Sequence, residues 1–137
     1  MSENKKEKTI VVKETLKQLF ETISSGNIPK AEEAWHGHDE CIILKGSPKD
    51  KGSIYSEPSY VETDYPLELS WVFFQLKDAF YAEKVIDHFS KLEFFGRLAD
   101  TAIRAIKEKP EISCQDLCRA VALEAESFYN KWERSHG

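Results

Sequence analysis

The chain has 137 residues, enough for one domain with a substantial core. Hydrophobic residues make up 41% and charged residues 31%, a composition that excludes an intrinsically disordered chain. The formal net charge of −5 argues against nonspecific binding of polyanions. No apolar run approaches the roughly 20 residues that span a bilayer, and the first residues lack the apolar core of a signal peptide. We therefore expect a cytoplasmic protein with no membrane partner.

The first predicted element is an amphipathic helix that begins at Thr9, after a polar and flexible segment, residues 1–8. Its apolar residues recur every three or four positions and are Val12, Leu16, Leu19, Phe20 and Ile23. Gly26 fits the left-handed position that closes a helix. Pro29 fits the first turn of a short second helix, roughly Pro29 to Trp35.

Residues 36–63 are the least regular part of the chain. The run Cys41–Leu44 predicts a buried strand, and Ile54–Val61 predicts a second strand that pairs with it. Pro58 confines this second strand to an edge. We therefore expect a short β-ribbon or an irregular insertion around residues 41–63.

The middle of the chain is rich in aromatic rings. A helix is predicted to start at Pro66, behind Asp64 as a candidate acidic cap. Two apolar stripes follow and comprise Leu69, Val72, Phe73, Leu76 and Phe80, then Phe95, Leu98, Ala99, Ala102, Ile103 and Ile106. Six phenylalanines and a tryptophan lie between Trp71 and Phe95. We interpret these rings as the core of a helical bundle in preference to an exposed docking face.

The C-terminal segment opens with Ser113, whose spacing from Asp116 matches a capping box. A change of apolar spacing at Ala122-Leu123 predicts a helix, a turn and a second helix. This pattern resembles the helix-turn-helix of TetR-type repressors and of some transposases. The likeness lies in Leu117-Cys118, Val121-Ala122-Leu123 and Ser127-Phe128-Tyr129. Together with the preceding helix, the helix-turn-helix-like unit covers residues 97–134.

The resemblance implies DNA binding. Arg119 and Lys131 would then contact phosphates, while Ser127, Tyr129 and Asn130 would face base edges or the backbone. The structural alternative is that the same unit packs within the bundle or binds protein, and three glutamates in its second helix favour this alternative because they repel phosphates.

A cluster of potential metal ligands occupies the stretch that contains His36, His38 and Cys41. Zinc takes such imidazole and thiolate ligands, and Cys114 and Cys118, spaced i and i+4, could complete a site. The chain lacks paired CxxC or HxxxH spacing, so a polar turn is the favoured interpretation. Three cysteines without disulfide spacing indicate free thiols. No cofactor is identified, and a metal ion stays open as a candidate.

A second metal pattern is Glu-x-x-His, which occurs at Glu33/His36 and at Glu133/His136. This spacing is used by carboxylate-bridged di-iron bundles, whose ligands are held inside long helices. His136 lies next to the last residue, where chains fray. Coincidence is the better explanation in a sequence with 24 acidic residues.

We therefore predict a mainly α protein, with residues 9–137 forming a single domain of five or six helices. No P-loop, GxGxxG or GxSxG motif occurs, and no catalytic residue is predicted. The predicted function is that of a noncatalytic regulatory or adaptor module. Its helical surface would contact a protein partner or a second copy of the chain, or alternatively DNA. A zinc or di-iron protein is the other function that the residues leave open.

Overall fold

The computed structural model describes residues 2–31, 42–44, 60–87 and 90–136. In chain order its elements are α1 (Ser2–Ser25), β1 (Ile42–Leu44), β2 (Tyr60–Glu62), α2 (Pro66–Ala82), α3 (Ser90–Glu108) and α4 (Cys114–His136). The prediction of a mainly helical protein is confirmed. The predicted count of five or six helices is not matched, because the described residues form four. None of these four helices is both long and apolar enough to cross a membrane.

The helix count is lower mainly because α4 is one continuous helix. The turn predicted at Ala122-Leu123 is wrong, since α4 runs through both residues without a break. The buried side chains of α4 keep a regular helical spacing and are Leu117, Cys118, Val121, Ala122, Ala125 and Tyr129. Leu123 lies outside this stripe and is exposed, so including it among the core residues produced the apparent change of spacing.

The short helix predicted from Pro29 is not observed where it can be assessed. Residues 29–31 are non-helical, and residues 32–35 lie outside the described part of the chain. The N–H of Ala31 instead donates to the carbonyl of Leu67 at 3.2 Å, which fastens this stretch to the start of α2.

The predicted β-ribbon is present as a pair of parallel strands. Ile42 lies opposite Tyr60 and Leu44 lies opposite Glu62. A parallel pair requires a crossover of roughly a dozen residues or more. Residues 45–59 make that connection and lie outside the described part of the chain. Val61 is buried, and β2 packs against α3 while β1 packs against α2.

Local capping explains where two of the helices begin. The hydroxyl of Ser113 accepts a hydrogen bond from the N–H of Asp116 at 3.1 Å, which confirms Ser113 as the cap of α4. Proline stands at the start of α2, as predicted. The prediction of Asp64 as the cap is wrong, because the cap position is Tyr65, which makes no side-chain cap hydrogen bond. The hydroxyl of Thr63 accepts from the N–H of Tyr65 at 3.0 Å and fixes the approach to α2.

The end of α1 is held by the beginning of α4. Gly26 adopts a φ of +80°, as expected for a left-handed cap, and its N–H donates to the carbonyl of Ile23 at 3.1 Å. The side-chain amide of Gln115 donates to the same carbonyl at 2.9 Å. The Ile23 carbonyl thus accepts two hydrogen bonds, and the second one ties the end of α1 to the first turn of α4.

Aromatic rings from three helices meet at the centre of the bundle. The ring centroid of Phe80 on α2 lies 4.8 Å from that of Phe94 on α3 and 5.9 Å from that of Tyr129 on α4. Phe94 and Phe128 lie 5.0 Å apart, edge to face. Phe80, Phe94 and Tyr129 are fully buried, which confirms the interpretation that the rings of the middle segment form the core. Each such pair adds roughly 0.5–1.5 kcal/mol beyond its area burial.

Removing the ring of Phe80 is expected to be the most damaging single change in this cluster. Phe80→Ala should lower the free energy of unfolding by about 3–5 kcal/mol, because it deletes contacts with two other helices and leaves a cavity. Phe80→Leu, with a smaller cavity, should cost about 1–2 kcal/mol and keeps the protein folded. Tyr81 is the matched control: it is 48% exposed, and Tyr81→Ala should cost about 1 kcal/mol or less. Equal losses at positions 80 and 81 in denaturant titrations would contradict this packing.

Replacement by alanine is expected to have opposite effects on the free energy of unfolding at two glycines. Gly26→Ala should lower the free energy of unfolding by about 1 kcal/mol or more, because φ is +80° and the new Cβ would lie 3.3 Å from Nε2 of Gln115. Gly96→Ala should raise it by about 0.5–1 kcal/mol, since Gly96 lies within α3 and a Cβ there meets nothing within 4 Å. Thermal and denaturant unfolding measure both, and changes of the same sign would refute the assignment.

Candidate functional site

A groove of about 670 Å³ lies on the surface between α1 and α4. Its lining residues are Lys13, Leu16, Lys17, Phe20, Glu21 and Ser24 from α1, and Glu126, Tyr129 and Asn130 from α4. Leu16, Phe20 and Tyr129 supply the apolar part. Leu16 and Tyr129 are buried and Phe20 is partly buried, so the groove has an apolar floor between polar rims.

The two walls run in opposite directions. At one end the first turn of α4 contacts the last turn of α1 through Gln115 and Ile23. At the other end the ammonium of Lys13 lies 3.9 Å from the carboxylate of Glu133. That ion pair is largely exposed and therefore contributes at most about 1 kcal/mol. The apolar contact between the helices, with these two end contacts, determines the spacing of the walls.

The floor is made rigid by the side chains around Tyr129. Its ring stacks on Trp132 with a centroid separation of 5.7 Å, and it meets Phe80 edge to face. Its hydroxyl and the carboxylate of Glu133 are 3.4 Å apart and hydrogen-bonded. A ring held from three sides keeps one position, so the floor presents a preformed surface.

Two exposed apolar side chains extend the groove at its margins. Ile10 is 61% exposed and precedes the lining residues Lys13 and Lys17 by three and seven positions, which is the spacing of one helix face. Leu123 is 49% exposed and stands in the same relation to Glu126 and Asn130 on α4. The apolar surface therefore continues beyond the groove on both helices.

The charge of the groove is balanced. Its rim carries two lysines and two glutamates, whereas the whole chain has a formal net charge of −5. A rim of mixed sign does not select a strongly acidic or strongly basic ligand.

The residues predicted to contact DNA divide into two groups. Arg119, Ser127, Asn130 and Lys131 are exposed on α4. Tyr129 is fully buried and packs in the core, so its ring does not face a ligand outside the protein as the prediction required. The four exposed residues leave DNA binding through α4 as a prediction, and Asn130 also lines the groove.

The predicted zinc ligands His36, His38 and Cys41 lie outside the described part of the chain. The other two cysteines do come together, as their i and i+4 spacing indicated. The thiol of Cys118 donates a hydrogen bond to the sulfur of Cys114. Within the ranges 2–31, 42–44, 60–87 and 90–136, no three histidine, cysteine or acidic residues are placed to hold a metal ion.

The surroundings of the two thiols keep them protonated. Burial raises the pKa of the fully buried Cys118 far above its ordinary value, and the neighbouring Cys114 raises it further. Burial also raises the pKa of the half-buried Cys114, while the hydrogen bond from Cys118 opposes that rise. Glu68 raises and Lys30 lowers the pKa of Cys114 to a smaller extent. A protonated thiol is a poor nucleophile and a poor metal ligand, so the pair serves as core packing.

Sequence reasoning identified the elements that form the groove but missed the groove itself. Phe20 was assigned to the core stripe of α1, although it lies at the stripe's edge and is only partly buried. The sequence feature that could have indicated the groove is Leu123, an apolar residue outside the buried stripe of α4. Comparison of the chain with protein-family models, with curated proteins and with solved structures finds no match in any of the three.

The raised pKa of Cys118 makes stability depend on pH in alkaline solution. Above the ordinary thiol value of 9.0, the unfolded chain loses this proton and the folded chain retains it. The folded state then binds more protons, so the free energy of unfolding falls as pH rises. One proton corresponds to about 1.4 kcal/mol per pH unit.

Denaturant titrations between pH 8 and 10.5, with a reductant present, test this linkage. Cys118→Ala should reduce the slope of stability against pH by up to about 1.4 kcal/mol per unit, whatever its effect on stability at pH 8. Leu117→Ala is the matched control, since it removes a neighbouring buried side chain that does not titrate and should leave the slope unchanged. An unaltered slope in Cys118→Ala would show that the thiol is not held protonated.

Proposed function

We propose that the protein is a noncatalytic interaction module, and that the groove between α1 and α4 binds the apolar face of a helix. The observation that carries the proposal is the open groove between two polar rims, in which Phe20 is the partly exposed apolar side chain and the buried Leu16 and Tyr129 also line the floor. A regulatory or adaptor role would follow from this binding.

The shape of the groove suits a helix. Two packed helices present parallel ridges, and a third helix fits between them at an axis separation of about 8–10 Å. Peptide helices recognised in this way insert residues spaced i, i+3, i+4 and i+7 into an apolar groove. Binding energy in such interfaces concentrates on buried aromatic anchors surrounded by a polar rim. Phe20 provides the partly exposed aromatic surface here, the buried Tyr129 supports it from the core, and the charged and amide side chains provide the rim.

The residue composition of the groove favours a binding site over a catalytic site. The nine described residues that line it include neither histidine nor cysteine. Of the two cysteines on α4, Cys118 is buried and Cys114 is half-buried, and the raised pKa of each thiol keeps it protonated. Binding therefore accounts for more of the site than a reaction does.

The proposal is tested with an uncharged amphipathic probe, a short helical peptide with leucine at i, i+3, i+4 and i+7 and with glutamine and serine elsewhere. Titration followed by amide chemical shifts should perturb residues along α1 and α4 and leave α3 unaffected. Asn130→Trp places a large ring at the rim and should weaken binding at least about tenfold, or 1.4 kcal/mol. Lys131→Trp, at the adjacent exposed position that does not line the groove, is the control and should bind as the parent does.

Two results would refute the proposal. One is the absence of any saturable shift with the peptide at millimolar concentration. The other is equal binding by Asn130→Trp and the parent protein, since this would place the peptide elsewhere on the surface.

A further inference from the structure

We infer that the occupant of the groove is a second copy of this chain, joined about a twofold axis with the two α1 helices side by side and antiparallel. The inference rests on the proposed function, because it names the partner for the same groove. It follows from the sequence of charges along α1, from the exposed apolar residues that flank the groove, and from the size of the face.

The charges on the rim of the groove allow it to pair with its own copy. Such a surface must be complementary to itself, so positive groups have to meet negative ones. The rim carries two lysines and two glutamates, although the chain as a whole is negative, and within one copy Lys13 already lies beside Glu133. A rim of one sign would repel its copy, since like charges brought together cost several kcal/mol.

The order of the charges selects an orientation. Along α1 the basic residues Lys13 and Lys17 come before the acidic Glu21, all on the groove side. When two α1 helices run antiparallel about an axis midway between Lys17 and Glu21, Lys17 of each copy lies opposite Glu21 of the other. A parallel arrangement would instead place lysine beside lysine and glutamate beside glutamate.

Two large apolar side chains beside the groove are left uncovered. Ile10 and Leu123 are 61% and 49% exposed and adjoin the groove on α1 and α4. Large exposed apolar residues that border an apolar groove indicate an interaction surface more strongly than the same residues scattered singly. In the antiparallel pair each falls at the border of the contact, where the second copy shields it from water.

The size of the face predicts a weak dimer. Two adjacent helices are about 20 Å wide, and four turns are about 22 Å long, so each copy contributes roughly 400 Å². The pair then buries on the order of 800 Å², below the roughly 1,000 Å² expected of a stable specific interface, so the contact is expected to be weak and transient, with a dissociation constant in the micromolar range. Such a dimer forms at high protein concentration and dissociates on dilution.

The test exploits the reciprocity of the pairing. Lys17→Glu and Glu21→Lys should each weaken self-association at least about tenfold, because each sets like charges opposite one another twice. Mixing the two single variants should restore association as a heterodimer, since the acidic face of one then meets the basic face of the other. The double variant Lys17→Glu/Glu21→Lys should again associate with itself. Sedimentation equilibrium gives the constants, and native mass spectrometry of the mixture, with one variant isotopically labelled, identifies the heterodimer.

Charge changes elsewhere serve as controls. Lys131→Glu on α4 and Glu108→Lys on α3 alter exposed residues that do not line the groove, so self-association should match that of the parent. Circular dichroism confirms that every variant is folded.

The outcomes separate this inference from the proposed function. The parent protein could stay monomeric up to about 0.5 mM, well above the micromolar range expected from the interface size, and still bind the leucine peptide in dilute solution. This result overturns the inference that the occupant is a second copy and leaves the groove as a helix-binding site. Loss of both activities overturns both. Self-association that is unchanged in the two single variants, or a mixture that yields no heterodimer, overturns the antiparallel pairing.

Discussion

The aromatic contact around Phe80 is the interaction on which the rest of the structure depends. Its ring meets Phe94 on α3 and Tyr129 on α4, so one side chain of α2 fixes the positions of two other helices. The same contact positions Tyr129, whose ring forms part of the groove floor. The candidate site is therefore an extension of the core to the surface. Tyr129 packs against Phe80 in the core and also lines the buried part of the groove.

By comparison, α1 is attached through buried aliphatic side chains, and the groove lies along this helix. The helix has no ring in the central aromatic cluster and rests on α2 and α4 through its apolar stripe, of which Val12 and Leu16 are part. Gln115 holds one end and the pair Lys13–Glu133 holds the other. Because α1 covers only one side of α4, Phe20 remains partly uncovered.

Periodicity predicted the four helical regions, the glycine cap at Gly26 and the serine cap at Ser113, because each depends on neighbours a few residues away. The predicted start of α1 at Thr9, after a flexible segment of residues 1–8, is wrong, because the helix begins at Ser2. Periodicity was misleading at Leu123, because an exposed apolar residue has the same residue type as a core residue. Only the burial pattern of the whole of α4 separates the two. The parallel pairing of β1 and β2 also escaped prediction, since nothing local distinguishes it from a hairpin. The groove required α1 and α4 to be brought together from opposite ends of the chain, and residue spacing within one helix carries no information about such a contact.

The bond between Gln115 and the end of α1 joins residues 92 positions apart, and this has a consequence for motion. Contacts of such long range close the largest loops and carry the largest loop-closure entropy. If α1 is released by local opening, α2, α3 and α4 stay joined by their rings. Release of α1 would remove one wall of the groove. Any occupant that spans both walls would therefore hold α1 closed, so that binding and the folding of the first helix become a single equilibrium.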